Sequence, residues 1–268
     1  MVWARRCVQR RIELVEFVSV EEAQQRSGLR VVTVGIVPSP WGEAAKGILY
    51  HKKVPYVAAR LSTEGPAVKE WTGHDSAPIA VYENEVPRTG WAEILLLAER
   101  LAPASPLIPA NPEDRAVLFG LSHEICGEDG LGWARRLFGV HVSLAGGGGF
   151  PQPIAEYLGA KYGYRGDNGE AAGRRVIELL GLFARRIARQ RQRGSRYLIG
   201  DAFTAADIYL ATFMALFVPL PNDLCPMPDT FRTAFSAMDD ATRAALDPIL
   251  LEHRDEIYRK HLELPLTL

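Results

Sequence analysis

Two short segments carry the residues whose types and spacing could support chemistry. Ser39-Pro40-Trp41 follows a β-branched apolar run, and Pro78 opens a second apolar run farther along the chain. Pro40 suits the first turn of a helix, which puts Ser39 at a helix N-terminus. Free backbone amides and the positive dipole end stabilise an anion there, and a hydroxyl can donate a hydrogen bond to a thiolate. We therefore expect a thiol-binding site at Ser39; the alternative is that Ser39 only caps the helix.

The first hundred residues alternate between strand and helix patterns, which must position that hydroxyl. Ser19 to Glu22 fits a capping box, so a short helix is expected to about Gln25. The following elements are then predicted, with one helical turn in the polar stretch 62–76: strand 29–37, helix 41–51, strand 54–61, a hairpin of strands 79–82 and 85–88, and helix 90–101 capped by Thr89. The order is βαβ followed by ββα.

The β signal disappears after a stretch that contains four prolines, Pro103, Pro106, Pro109 and Pro112. Such a stretch is typical of a stiff linker. Helices are predicted beyond it over 113–128, 131–140, 171–189, 203–217 and 241–261. The glycines at 146–149 lack the Gly-Lys-Ser ending of a phosphate loop and predict an ordinary loop. Arg135 and Arg136 are interpreted as surface charges.

Three motifs together resemble the glutathione S-transferase superfamily over about residues 29 to 220. Ser39-Pro40-Trp41-Gly42 is similar to the Ser-Pro-Phe-Gly segment of the plant tau class, in which the serine activates glutathione. Ala77-Pro78 resembles the family's cis-proline motif. The segment 199–207, Ile-Gly-Asp-Ala-Phe-Thr-Ala-Ala-Asp, resembles the signature of the second domain, in which Thr204 and Asp207 form a capping box. This last match is the most specific, and its role is structural.

The resemblance implies a fold and a division of the chain. The fold class is an α/β thioredoxin-like N-terminal domain followed by an all-α C-terminal domain. The expected division is an N-terminal extension with a short helix over 1–28, the thioredoxin-like domain over 29–102, the linker over 103–112 and the helical domain over 113–268.

The resemblance also implies roles for particular residues, with glutathione as co-substrate. Ser39 is the expected catalytic residue. Ala77, before a cis Pro78, would hold the cysteinyl backbone like an added strand. Thr89 and Gly90 would bind the γ-glutamyl carboxylate.

A small hydrophobic electrophile is the expected second substrate. It would lie between Trp41 and the helix that carries His123 and Glu124. The alternatives are that Trp41 packs in the core and that His123 and Glu124 lie on a solvated or interface face. No metal site is expected, because the three cysteines are scattered.

One departure from the family pattern concerns glutathione recognition. Members usually carry Glu or Gln followed by Ser where this chain has Thr89-Gly90. Each hydrogen bond lost to a charged group costs about 1.5–3 kcal/mol. Two losses weaken binding by about 10²-fold or more. The alternative to the enzyme is therefore a glutathione-transferase fold kept as a binding or scaffolding module, with weakened or lost glutathione binding. A thiol oxidoreductase ranks third, because position 39 is serine and no Cys-x-x-Cys occurs.

Composition limits the partners and the location. The formal net charge of −1 suggests no nucleic-acid partner, and no apolar run has the length of a membrane span. The start of the chain carries Arg5, Arg6, Arg10 and Arg11 without an apolar stretch, which argues against a secretory signal and leaves a loose tail or a targeting arm open. A cytoplasmic location is expected, and the resemblance implies a homodimer.

Overall fold

A four-stranded sheet forms the first part of the computed structural model, which describes residues 15–61 and 65–268. The arginine-rich start and Cys7 lie outside the described residues. The strands are β1 Val15–Phe17, β2 Leu29–Thr33, β3 Tyr56–Arg60 and β4 Ile79–Tyr82. Their order across the sheet is β1-β3-β2-β4, with β4 antiparallel to β2 and the other pairs parallel. The edge strand β1 was not predicted from the sequence.

Side chains of the central strand β2 alternate between two apolar cores. Val31 stands between Ala58 and Ala80 of the neighbouring strands and belongs to the large core shared with the helices that follow. Val32 points the other way, into a smaller core with Val68 and Ile79. Because both faces are covered, every residue of β2 is buried.

In the described part of the chain, four helices accompany the sheet and eight helices follow it. The first group is α1 Val20–Gln25, α2 Pro40–His51, α3 Ala67–Thr72 and α4 Trp91–Leu101. The second group is α5 Pro112–Cys126, α6 Leu131–Leu144, α7 Gln152–Tyr162, α8 Gly169–Gln192, α9 Ala205–Phe213, α10 Asp229–Ser236, α11 Asp240–Ala245 and α12 Pro248–His261, with a short 3₁₀ turn at Met214–Leu216. This architecture confirms the predicted thioredoxin-like part and all-helical part.

Helix α9 lies at the centre of the helical part, and all nine of its residues are buried. It packs against α2, α5 and α12. Its start is fixed by the predicted capping box: the Asp207 carboxylate accepts hydrogen bonds from the Thr204 amide at 2.9 Å and from the Leu198 amide at 2.8 Å. These bonds satisfy amides that would otherwise be buried without a partner.

The proline-rich stretch between α4 and α5 is attached to both parts. Its Leu107 is fully buried, and the Leu107 amide donates to Glu99 of α4 at 2.9 Å. The Leu107 carbonyl accepts from the Ala205 amide at the start of α9, at 3.0 Å. These contacts tie α4 to the central helix.

Three predicted elements differ from the structure. The strand expected over 29–37 ends at Thr33, because Ile36 has a left-handed φ of 59°. The strand expected over 85–88 is reduced to one bridge between Ala80 and Arg88, since Pro87 has no amide to donate. The helix expected over 241–261 divides into α11 and α12, where Pro248 begins the second helix. Among the described residues, no helix has the length and apolarity to cross a membrane.

Candidate functional site

The hydroxyl of Ser39 lies at the N-terminus of α2, as the sequence predicts. Ser39 is the extended N-cap residue and Pro40 occupies the first helical position. The Ser39 carbonyl accepts the first helical bond from the Glu43 amide at 2.7 Å, but the hydroxyl makes no capping hydrogen bond. A capping serine normally uses its hydroxyl for the free amides of the first turn. Ser39 is partly exposed, and its hydroxyl is not used by the helix, so it remains available to a ligand.

The loop that leads to Ser39 holds a strained residue. Ile36 adopts a φ of 59°, and its side chain is 57% exposed. A left-handed conformation is rare for a β-branched residue, and such strain concentrates at functional sites. Two short backbone bonds hold the loop, from Val37 to the Gly35 carbonyl at 2.8 Å and from Ser39 to the Val37 carbonyl at 2.9 Å. The strained residue lies in the loop that leads directly into the N-terminus of α2.

Three of the predicted site residues come together around one small cavity. Trp41, Pro78 and Thr89 line it, with apolar side chains of α2, α4 and α9 behind them. The Ala77–Pro78 peptide bond is cis, which confirms that prediction. The space is about 10 Å³, roughly the volume that a single water probe requires. The cavity itself is therefore too small for a substrate.

Trp41 contacts the helical part of the protein directly. Its indole N–H donates to the Cys126 carbonyl at the end of α5, at 2.9 Å. Its ring meets the Phe213 ring edge-on at 4.8 Å and lies 6.2 Å from the Tyr162 ring. Gly132 leaves room for this packing, because a Cβ atom there would collide with the Phe213 ring. The space between Trp41 and the last turn of α5 is thus closed by a direct hydrogen bond.

The start of α4 corrects one prediction and reveals an unexpected carboxylate. Gly90, and not Thr89, is the N-cap residue of α4. The Glu93 carboxylate reaches back and accepts from the Gly90 amide at 2.9 Å and from the Thr89 amide at 3.3 Å. An acidic residue at the third helical position does this in many helices. The two amides expected to bind a ligand carboxylate are already bound to one.

His123 and Glu124 occupy the last turn of α5, beside Cys126. His123 is exposed, and its carbonyl accepts from the Gly127 amide at 2.8 Å. Glu124 forms an ion pair with Arg175 of α8. It is the Cys126 carbonyl of this turn that contacts Trp41.

Arg135 and Arg136 of α6 are buried, so their interpretation as surface charges is wrong. Arg135 donates to the backbone carbonyls of Leu216 at 3.1 Å and of Ala237 at 2.5 Å. Burial, followed by the neighbouring Arg136 charge, lowers the pKa of Arg135 to about 10. Arg136 packs between aromatic rings instead. Remote parts of the chain create this environment, and local sequence carries no sign of it.

Two residues near the site were missed in the sequence analysis. Glu93 could have been found, because an acidic residue three positions after a helix start signals a capping bond. Tyr162, whose ring neighbours that of Trp41, could not have been found, because the sequence analysis predicts no helix where α7 lies.

Comparisons with known proteins support the fold. No protein-family model matches the chain, and no curated protein matches it. A glutathione transferase family member from Pseudomonas fluorescens, with two glutathione bound, is similar at a TM-score of 0.61 and 13% identity, over 90% of this chain and 94% of that chain. A glutathione S-transferase from Methylobacterium radiotolerans, in complex with glutathione sulfonate, is similar at a TM-score of 0.58 and 17% identity, over 87% of this chain and 91% of that chain.

The tau class glutathione S-transferase from mango (Mangifera indica) gives a TM-score of 0.51 at 18% identity, over 86% of this chain and 98% of that chain. At such identities the likeness concerns the fold alone. The chain has the glutathione-transferase fold, with a thioredoxin-like N-terminal part and an all-helical C-terminal part.

Proposed function

We propose that the chain is a glutathione-S-transferase-like enzyme in which Ser39 stabilises the thiolate of glutathione. The observation that carries this proposal is the Ser39 hydroxyl, which lies at the N-terminus of α2 and makes no capping bond. Solved proteins of the same fold carry glutathione or glutathione sulfonate, which supports the choice of thiol. Proximity of Ser39 to a helix N-terminus favours the charged form of that thiol.

The reaction needs a lowered thiol pKa and an electrophile. The Ser39 hydroxyl donates a hydrogen bond to the sulfur, the thiol proton passes to solvent, and the thiolate is the nucleophile. With an aryl halide, a carbon–sulfur bond forms, the carbon–halogen bond breaks, and the halide leaves with the electron pair. The product is a thioether. This sequence of events requires no redox partner.

Glutathione would be held by backbone groups on the sheet side of the site. Ala77 would pair with the cysteinyl backbone as an added strand does. The γ-glutamyl carboxylate would bind the Thr89 and Gly90 amides, and Glu93 must first release them. The small hydrophobic electrophile would bind at the mouth of the cavity beside Trp41, near the α5 turn that carries His123 and Glu124.

The further parts of the proposal concern organisation and location. We propose the division at the proline-rich stretch 103–112 that the sequence suggests, a homodimer, and a cytoplasmic location. Symmetric dimers are the commonest oligomers. The described cysteines, Cys126 and Cys225, are free and buried, which suits a reducing compartment.

A second candidate function is a binding or scaffolding module that has lost most of its affinity for glutathione. One specific observation favours it: Glu93 occupies the amides that a ligand carboxylate needs. A bound carboxylate there would also repel the ligand carboxylate, since like charges side by side are unfavourable.

Calorimetric titration with glutathione, combined with a conjugation assay on 1-chloro-2,4-dinitrobenzene, separates the two candidates. The enzyme requires measurable binding and a rate that falls at least tenfold in Ser39→Ala. Ser39→Thr retains the hydroxyl and should retain part of the rate. Absence of binding, or a rate independent of Ser39, would support the module.

A further inference from the structure

The two adjacent buried arginines of α6 have different surroundings. The Arg135 guanidinium donates to three backbone carbonyls, those of Leu216, Phe235 and Ala237. Arg136 has no such partners, and its Nε atom makes no hydrogen bond. Within residues 15–61 and 65–268, no carboxylate forms an ion pair with Arg136. A buried cation without an anion is costly, so this arrangement calls for an explanation.

Aromatic side chains surround the Arg136 guanidinium. The Phe235 ring lies 4.9 Å from its central carbon and the Phe150 ring lies 5.7 Å away. Burial has the largest effect and lowers the pKa of Arg136, while interaction with the Tyr162 hydroxyl, which includes a hydrogen bond, acts in the opposite direction. An arginine keeps its proton in proteins. The cluster therefore holds a positive charge that the described protein groups do not neutralise.

A second cation lies beside the first. The Lys161 ammonium is 5.9 Å from the centre of the Tyr162 ring. Partial burial, followed by the charge of Arg136, lowers the pKa of Lys161, and the carboxylate that acts against this is Asp75. Asp75 is itself paired with Lys69 at 3.3 Å and is mostly exposed. Lys161 is exposed, so it can reach an anion from solvent, whereas Arg136 is the buried cation of the two.

The pair of cations is connected to the candidate site through aromatic rings. The Tyr162 ring lies 6.2 Å from Trp41, two residues after Ser39, and meets the Trp133 ring edge-on at 4.8 Å. Trp133 is partly exposed and offers a flat surface to a ligand. Cations beside an aromatic surface suit a ligand that carries both a negative charge and a ring.

We propose that Arg136, Lys161, Trp133 and Tyr162 form a subsite, next to Trp41, for an aromatic carboxylate. The subsite narrows the small hydrophobic electrophile of the proposed function to an aromatic molecule that carries a carboxylate. The carboxylate would lie between the guanidinium and the ammonium, with its ring against Trp133. The claim that the aromatic carboxylate is the electrophile rests on the proposed function. The claim that the subsite binds such a molecule does not require glutathione.

The partly exposed Phe150 ring lies against the Arg136 guanidinium. In the proposed subsite this side chain would have to turn away before a ligand carboxylate reaches Arg136. Phe150 follows a run of glycines, of which Gly146, Gly148 and Gly149 have a positive φ. Glycine adopts such conformations without steric cost. The Phe150 amide donates to the Ser143 hydroxyl at 2.9 Å, which holds the backbone at this point while the side chain is free to change rotamer.

The test measures binding of 4-chloro-3-nitrobenzoate by calorimetry without glutathione, with neutral 1-chloro-2,4-dinitrobenzene as the comparison ligand. Arg136→Met should weaken binding of the benzoate by about tenfold or more, the value of one charge-assisted hydrogen bond, and leave the neutral ligand unaffected. Lys161→Met should weaken it less. Because the interaction is ionic, affinity should also fall as salt is added.

Arg135→Met is the matched control, because it removes the same charge from the neighbouring position. It should lower the melting temperature, since three carbonyls lose their donor, and a folded sample should retain benzoate binding. Arg136→Met should not lower the melting temperature, because a buried unpaired charge is removed. A fall in stability in Arg136→Met with unchanged benzoate binding would overturn the proposal in favour of a structural role.

Failure of this inference is distinguishable from failure of the proposed function. Benzoate binding that depends on Arg136 in a protein that does not bind glutathione supports the subsite and removes the transferase. Glutathione binding with no benzoate binding, or with equal benzoate binding in Arg136→Met and Lys161→Met, removes the subsite and leaves the transferase intact.

Discussion

Replacement of Glu93 by alanine should strengthen glutathione binding about tenfold. The Glu93 carboxylate accepts one well-formed hydrogen bond from Gly90 at 2.9 Å and a longer one from Thr89 at 3.3 Å. The γ-glutamyl carboxylate of glutathione must displace the Glu93 carboxylate from these amides. Because one bound carboxylate replaces another, the exchange contributes little to the binding free energy. After the substitution, the ligand would gain at least one hydrogen bond to a charged group, worth about 1.5 kcal/mol at the low end that suits an exposed site. A gain of that size is about tenfold in affinity.

The same substitution should reduce stability. Glu93 is an acidic residue in the first turn of α4, where it satisfies free amides and suits the helix dipole. Loss of that arrangement costs about 1 kcal/mol, as for other capping groups. For a protein of this size the melting temperature should fall by about 2–4 °C.

Calorimetry on three variants tests this reasoning. Glu93→Gln keeps a hydrogen-bond acceptor without the charge and should bind glutathione with intermediate affinity. Glu113→Ala removes a first-turn carboxylate from α5, away from the site, and should leave binding unchanged. Weaker binding by Glu93→Ala would refute the argument, because it would mean that Glu93 itself holds the ligand, for example through the γ-glutamyl ammonium.

Three further predictions concern stability. Asp207→Asn should lower the free energy of unfolding by about 2–3 kcal/mol in urea titrations, because a buried carboxylate that accepts several hydrogen bonds is lost; a change below 0.5 kcal/mol would contradict this. Trp41→Phe should cost about 1 kcal/mol through the lost bond to Cys126, again by urea titration, and no change would show that the bond contributes nothing. Partial burial raises the pKa of Glu256, but hydrogen bonds from Lys260 and Arg196 outweigh it and lower the pKa from 4.5 to about 2. The contribution of Glu256 to the free energy of unfolding is therefore present above pH 4.5 and lost as the pH falls toward 2. Over that interval the wild type should lose about 1 kcal/mol more of this free energy than Glu256→Gln, after allowance for the exposed Arg196. Equal losses in the two proteins would contradict the prediction.

Local patterns in the sequence were enough for the elements that build the site. The strand before Ser39, the helix that begins at Pro40 and the proline at Pro78 all follow from residue types and short spacings. The capping box of Thr204 and Asp207 was also predictable, because both of its hydrogen-bonding groups lie within one turn.

Features that depend on distant partners could not be predicted. Strand β1 exists because it pairs with β3, which lies some forty positions later along the chain. Arg135 is buried because the carbonyls of Leu216 and Ala237, from another part of the chain, surround it. The division between α11 and α12, in contrast, could have been predicted from the sequence. Asp247-Pro248 is a local signal for the start of a helix.

The pKa of glutathione bound to the protein tests the central claim most directly. The thiolate absorbs in the ultraviolet, so a pH titration of the complex reports its ionisation. With Ser39 present, the pKa should lie about one unit or more below the free value of about 8.5, and in Ser39→Ala it should return toward that value. A bound thiol with an unshifted pKa, or a lowered pKa that is the same in Ser39→Ala, would contradict the role assigned to Ser39.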